Sequence, residues 1–209
     1  MDHCVPLKAR PRRDAILHAI GEHDNGWEEA DAAPTVNPTT GNVADFISVP
    51  LSVRHAVWPR GIGRLASDPF AAALVAQHAL TVYSRFRSDS EWRSFFAQME
   101  SARDALLRAS CFPLEDLVAD YPFVRLGDLI SLAFCTGWTD EQQFGEWTVQ
   151  MAGTRVVVTP DAFGGANIPI EINARPIPNR PLRMDAELRE LLSEADRVTL
   201  RGEVSGGRV

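Results

Sequence analysis

Cysteine is scarce: the 209-residue chain has three, Cys4, Cys111 and Cys135. They show neither CxxC nor zinc-finger spacing, and their odd number argues against a closed disulfide framework. They are expected to be reduced, with Cys111 and Cys135 in the core, where free cysteine commonly sits. Long apolar runs are also missing. The longest, such as residues 71–76, fall far short of the roughly 20 residues a membrane-spanning helix needs, so no membrane partner is expected. The basic residues near the start are followed by no apolar h-region and no small-residue cleavage site, which makes the cytoplasm the expected location. The formal net charge is -7, and no long basic run offers the positive surface that nonspecific nucleic-acid binding requires. The one basic cluster, Lys8, Arg10, Arg12 and Arg13, is interrupted by Pro6 and Pro11 and reads as a solvated segment. A phosphate loop is absent, because Gly61 and Gly63 follow no strand and precede no Gly-Lys-Ser/Thr. No serine lies in a nucleophile elbow, which disfavours a serine hydrolase.

What is present is an ordinary globular composition, 45% hydrophobic and 23% charged, enough to bury a sizeable core. Ile16, Ala19, Ile20 and His23 fall on one helical face within residues 12–24. Residues 28–67 show no sustained period and carry Pro34, Pro38, Pro50 and Pro59, so they read as a long, packed loop and a natural functional cover. Asp68-Pro69 starts a helix with an acidic N-cap and proline at the first helical position, and that helix reaches about Phe86. Further helices are expected near 92–109, 113–119, 122–135 and 185–194. Residues 155–159, with the run Val156-Val157-Val158, and residues 167–173, which alternate, carry strand signals, residues 198–200 are a further strand candidate, and 205–209 reads as a loose tail. These elements predict a mainly α fold, a helical domain over residues 1–140 with a small antiparallel β addition over 141–209 packed on it.

The residues with chemical potential are histidines and aspartates. His23 and Asp24, adjacent at a helix end, can turn an imidazole nitrogen and a carboxylate oxygen toward one ion, a donor pair that suits zinc, iron or manganese. His78 lies on the apolar stripe of its helix. Asp128 lies on the apolar-leaning side of its own, where an ionised carboxylate costs several kcal/mol, in order of magnitude, unless paired or metal-bound; Arg125, three residues earlier, is one possible partner. Asp31 is a candidate to orient the His23 ring, Trp27 to pack beside the site, and His55 to meet a ligand from the long loop. The same residues admit a metal-free alternative in which His23, His78 and Asp128 hydrogen-bond to one another.

Three separated motifs carry a resemblance: His23-Asp24-Asn25-Gly26-Trp27, then Pro69 to Leu74 with His78, then Gly127-Asp128-Leu129-Ile130-Ser131-Leu132. They look like an uncharacterised HD-like family with an HDxGW signature, distantly related to the HD superfamily of metal-dependent phosphohydrolases. The resemblance covers roughly residues 1–140 and implies an HD-like helical bundle. It also implies that His23, Asp24 and Asp128 are metal ligands, that His78 extends the site, and that His3 stands for the family's first histidine. The function it implies is a hydrolase using a divalent Mn, Fe or Zn ion, with phosphoesters as the candidate substrate class and Asp24 in catalysis. Arg54, Arg60 and Arg64 of the long loop are candidates to meet a small anionic substrate. The alternative is a noncatalytic protein that binds a metal or ligand on the same scaffold.

Overall fold

The structure, a computed structural model, describes residues 1–207. Helix α5 (Pro69–Val82) is its centre. Ten of its fourteen residues are buried, the all-round burial that marks a helix surrounded by others. The Asp68 side chain accepts from the Ala71 N–H at 3.1 Å and Pro69 holds the first helical position, the start the sequence predicts. Packed around α5 are α2 (Arg13–Glu22), α4 (Leu51–Arg64), α6 (Arg93–Ser110) and α7 (Leu114–Thr136). Two short helices, α1 (Val5–Lys8) and α3 (Glu28–Ala32), complete the helical layer before the chain reaches the sheet.

The β region is more than a small antiparallel addition. Five strands, β1 (Gln142–Phe144), β2 (Trp147–Ala152), β3 (Arg155–Thr159), β4 (Ile168–Ala174) and β5 (Val198–Gly206), form one sheet in the order β1-β2-β3-β5-β4. The sheet is mixed: β3 and β5 run parallel, while the other neighbours are antiparallel. The fold is therefore α/β in character, which overturns the expected helical bundle. Pairing β3 with a strand whose partner residues lie nearly fifty positions away is a tertiary choice that no local alternation records. The β1–β2 and β2–β3 turns do have a local cause. Gly145 and Gly153 open two-residue loops with φ of 59° and 66°, a conformation glycine adopts without the Cβ penalty. Trp147 and Val149 of β2 and Val156 and Val158 of β3 are buried with the helical core. Phe123 of α7 meets Trp147 at 5.5 Å between ring centroids. Helix α8 (Asp185–Glu194) precedes the last strand.

Four further expectations are corrected. The expected loop over 28–67 contains the fourteen-residue helix α4 despite Pro59, because Val57, Trp58, Ile62 and Leu65 bury against the core. The helices expected at 113–119 and 122–135 are the single α7, which runs through Pro122. A proline inside a helix costs about 3 kcal/mol, offset here by burial of Leu117, Phe123, Val124, Leu126 and Leu129 on both sides of it. Cys111 and Cys135 are exposed while Cys4 is buried. Cys111 ends α6 in the left-handed region at φ 59°, which turns it out of the core. Of the expected tail, Ser205 and Gly206 belong to β5 and Ser205 is buried; residues 208–209 lie outside the described residues.

Candidate metal centre

Three helices deliver the site. His23 ends α2, His78 lies in the third turn of α5, and Asp128 is midway along α7. One ligand atom from each lies within 4.8 Å of the others, a spread that one ion can span. His78 and Asp128 are buried and the His23 side chain is 10% exposed. The two imidazoles meet edge to face, with ring centroids 5.2 Å apart.

The hydrogen bonds orient the rings outward onto this point. His23 Nδ1 is 2.8 Å from the Ile20 carbonyl. A carbonyl can only accept, so Nδ1 carries a hydrogen and Nε2 is the atom turned to the site. His78 Nδ1 is 3.1 Å from the Tyr121 hydroxyl, and its Nε2 is 3.6 Å from Asp128 Oδ2. His23 Nε2 stands 3.1 Å from Asp24 Oδ2 and 3.6 Å from Asp128 Oδ1. The first contact is misaligned and the second is long, so this buried nitrogen has charge partners but no hydrogen-bond partner among the described residues. An orphaned, buried imidazole nitrogen beside a second imidazole and a carboxylate is a donor set that fits a divalent transition metal.

Electrostatics separate the two histidines in the metal-free protein. Burial disfavours the His23 imidazolium, but Asp128 and Asp24 beside it outweigh burial and raise its pKa to about 10. Burial dominates at His78 and lowers it to about 4. Burial would raise the Asp128 carboxyl, yet His78, His23 and Arg125 hold it down at about 2. Arg125 Nη1 donates to Asp128 Oδ2 across one helical turn. This is the compensating cation that the sequence suggests. Tyr121, which closes the back of the site, is raised by burial.

Beside these groups lies a cavity of about 640 Å³. His78, Asp128, Arg125 and Asp24 line one part of it, and Trp27, Asp31, Phe46, Ile47, Arg54, Trp58, Arg85 and Trp138 line others. Asp24 is the exposed member, with 62% of its side chain accessible. Trp27 is half-buried on the cavity wall. Asp31 also reaches the wall, and burial followed by the Asp24 charge raises its pKa. It does not orient His23, whose Nδ1 is taken by Ile20. His3 is exposed and outside the group. His55 is not among the residues that line the cavity and packs on Trp92 and Phe95 at 4.7 and 5.0 Å between ring centroids. Arg60 and Arg64 are engaged with Glu28, Glu29 and the Gly26 and Asn25 carbonyls. Of the three arginines expected to meet an anion, only Arg54 lines the cavity.

Tyr121 at the His78 ring and Trp58 and Arg85 on the cavity wall also belong to the site, and no motif marks them. Tyr121 and Trp58 had a usable signal, since each lies one helical turn from a residue already singled out: Arg125 for Tyr121 and Arg54 for Trp58. Arg85 had none.

The wall near His23 is held by a tight crossing. The turn Asn25–Trp27 packs on α4 with Gly26 against the Val57 carbonyl, and Gly61 faces Asn25 Oδ1, where a Cβ would come within 2.7 Å. Among the described residues no helix is long and apolar enough to cross a membrane. No curated protein and no solved structure matches the chain. A family model described as "Protein of unknown function (DUF3891)" matches residues 5–179, most of the chain, and the protein therefore belongs to that family.

Proposed function

We propose that the protein is a divalent-metal-dependent hydrolase, of the phosphoesterase class, with His23, His78 and Asp128 holding the ion and Asp24 completing the site from the cavity side. The observation that carries this reading is the convergence of His23, His78 and Asp128 from three helices beside a cavity large enough for a small substrate. The order of His23-Asp24, His78 and Asp128 along the chain, similar to that of HD phosphohydrolases, is consistent with it. Imidazole and carboxylate together suit Mn, Fe or Zn. When bound, the ion supplies Lewis acidity, which polarises a scissile group and acidifies water.

The chain's own residues divide the remaining work. Ile20 and Tyr121 fix the two rings so that both Nε2 atoms face the same point, the supporting shell a metal site needs. Asp24, exposed and on the cavity wall, is the carboxylate placed to accept a proton during hydrolysis. Trp27 and Asp31 border the space a substrate would fill.

A second reading has its own observation. Arg125 already donates to Asp128, so the two histidines, Asp128 and Arg125 form a metal-free ionic network, and the cavity then belongs to a noncatalytic binder. Elemental analysis separates the two on protein purified without chelator or histidine tag. Near-stoichiometric Mn, Fe or Zn in the wild type, lost from a folded His78→Gln variant, supports the metal reading and calls for a phosphoesterase screen. A wild type that stays free of metal after incubation with each ion supports the network.

A further inference from the structure

Away from the histidines, the cavity has a second chemical character. Arg54, on α4, and Arg85, in the turn after α5, both line it. Neither forms an ion pair or a side-chain hydrogen bond among the described residues, whereas Arg10, Arg12, Arg60, Arg64 and Arg125 all do. Arg54 Nε is buried without an acceptor. A guanidinium N–H can only donate, and a buried donor left unmade costs about 1–3 kcal/mol.

The surroundings hold Arg54 in place. Its guanidinium carbon lies 5.5 Å from the centre of the Trp92 ring, and Trp92 stacks on Phe86 at 4.9 Å with 5° between the planes. Arg85 lies over that Phe86 at 4.6 Å. These cation–π contacts fix the charges without neutralising them. No cavity carboxylate is ion-paired with either arginine among the described residues: Asp45 accepts from Ser48 and from the Ile47 N–H, Asp128 is held by Arg125, Asp24 stands beside His23, and Asp31 lies on the wall without an ion pair. Between the two ends stands Trp58, 5.7 Å from His78 and 6.0 Å from Tyr83 between ring centroids. Phe46, Ile47, Trp27 and Trp138 supply an apolar lining.

We infer that Arg54 is a specificity-determining residue that binds an oxyanion, a carboxylate or phosphate, on a ligand whose apolar or aromatic body lies along Trp58, while Arg85 adds a second positive charge at the rim. A rigid, planar donor fork suits either oxyanion. The inference rests on the preceding reading only for the use of the cavity, since the anion's grip is independent of the ion.

Calorimetric titration of the chelator-treated full chain with phenyl phosphate and, separately, with benzoate tests this. The wild type is expected to bind at least one probe at millimolar concentration. Arg54→Met, which keeps the packing stem, is expected to bind it about ten- to a hundredfold more weakly, the loss of a charge-assisted hydrogen bond. Arg85→Ala, at an exposed position, is expected to weaken it a few-fold. Tighter phenyl phosphate points to a phosphomonoester and tighter benzoate to a carboxylic acid; either supports the oxyanion site. No binding of either probe, or equal binding by wild type and Arg54→Met, overturns it. Should Arg54→Met fail to fold, Arg54→Lys replaces it, with an expected loss of about tenfold, and unchanged affinity overturns the inference. A wild type without metal that binds a probe through Arg54 removes the hydrolase reading and leaves this one. A metalloprotein whose Arg54→Met variant binds the probe unchanged does the reverse.

Discussion

Asp120 and Asp128 lie eight residues apart on α7, both buried, and their surroundings differ in kind. Asp120 is fully enclosed: Arg10 reaches Oδ1 at 2.5 Å through Nη2 and at 2.7 Å through Nε, and Arg12 Nε reaches Oδ2 at 2.6 Å. Asp116 adds a further partner for Arg12 at 3.1 Å. Every participant is an arginine or a carboxylate, and the network ties Arg10 and Arg12 to α7. Asp128 has one arginine on one oxygen and two imidazole nitrogens at 3.6 Å, with the cavity beside it. Burial of a carboxylate is common to both. What distinguishes a candidate site is bonding capacity left over after the local ion pair is made.

Three experiments would break or sharpen this contrast. The largest effect is expected for Asp120→Ala. It leaves two guanidiniums without their buried partner, and removing one member of a buried pair costs about 3–5 kcal/mol. Chemical denaturation should register that loss, while the folded fraction keeps the wild-type metal content. Asp128→Asn should behave in the opposite way. Metal content falls to background, and the metal-free protein loses only about 1–3 kcal/mol, because an amide still hydrogen-bonds where the carboxylate did. If Asp120→Ala also empties the site, the two networks are coupled through α7 and the contrast fails.

The third effect lies in pH. His23 is raised from 6.5 to about 10 in the metal-free fold, so its proton stabilises the native state fully below pH 6.5, and that contribution is lost as pH rises toward 10. His78 works in the opposite sense. Lowered from 6.5 to about 4, it favours the native state above pH 6.5 and loses that contribution as pH falls toward 4. Thermal melts of chelator-treated protein should therefore show declining stability on both sides of pH 6.5. His23→Gln should remove the decline contributed on the alkaline side and leave the acidic one. A variant melt that keeps the full alkaline decline would show that His23 does not hold the proton.

Much of the helical layer was legible because its signals are local. The acid-proline start of α5, the period of α6 and the placement of His78 on an apolar stripe need only neighbouring residues. The stripes placed His78 and Asp128 on inward faces, but grouping them with His23 rested on the resemblance of three separated motifs, because the meeting of three helices is a tertiary fact. The misses share a different cause. Helix α4 was hidden by Pro59 and two glycines, whose local cost is outweighed by burial of Val57, Trp58 and Ile62. The parallel pairing of β3 with β5 and the closure of Asp120 by Arg10 and Arg12 join residues about 50 and 110 positions apart, so neither leaves a periodic trace. The Arg10–Arg12 cluster reads as solvated for that reason: its counter-charge comes from another helix. Arg85 gave no signal because an isolated arginine in a turn resembles any surface arginine until a cavity is found beside it.

The crossing of Gly26 and Gly61 bears on how a loss-of-function screen of this protein would read. A methyl group at Gly26 would run into the Val57 carbonyl, and one at Gly61 into the Asn25 side chain. Random substitution at Gly26, where the obstacle is backbone, should therefore score as harshly as substitution of His78 although glycine has no side chain to bring to the chemistry, and substitution at Gly61, where the end of the Asn25 side chain can shift, more mildly. Intolerance alone would rank scaffold and chemistry together. Metal content and anion binding, scored on the surviving folded variants, would sort them.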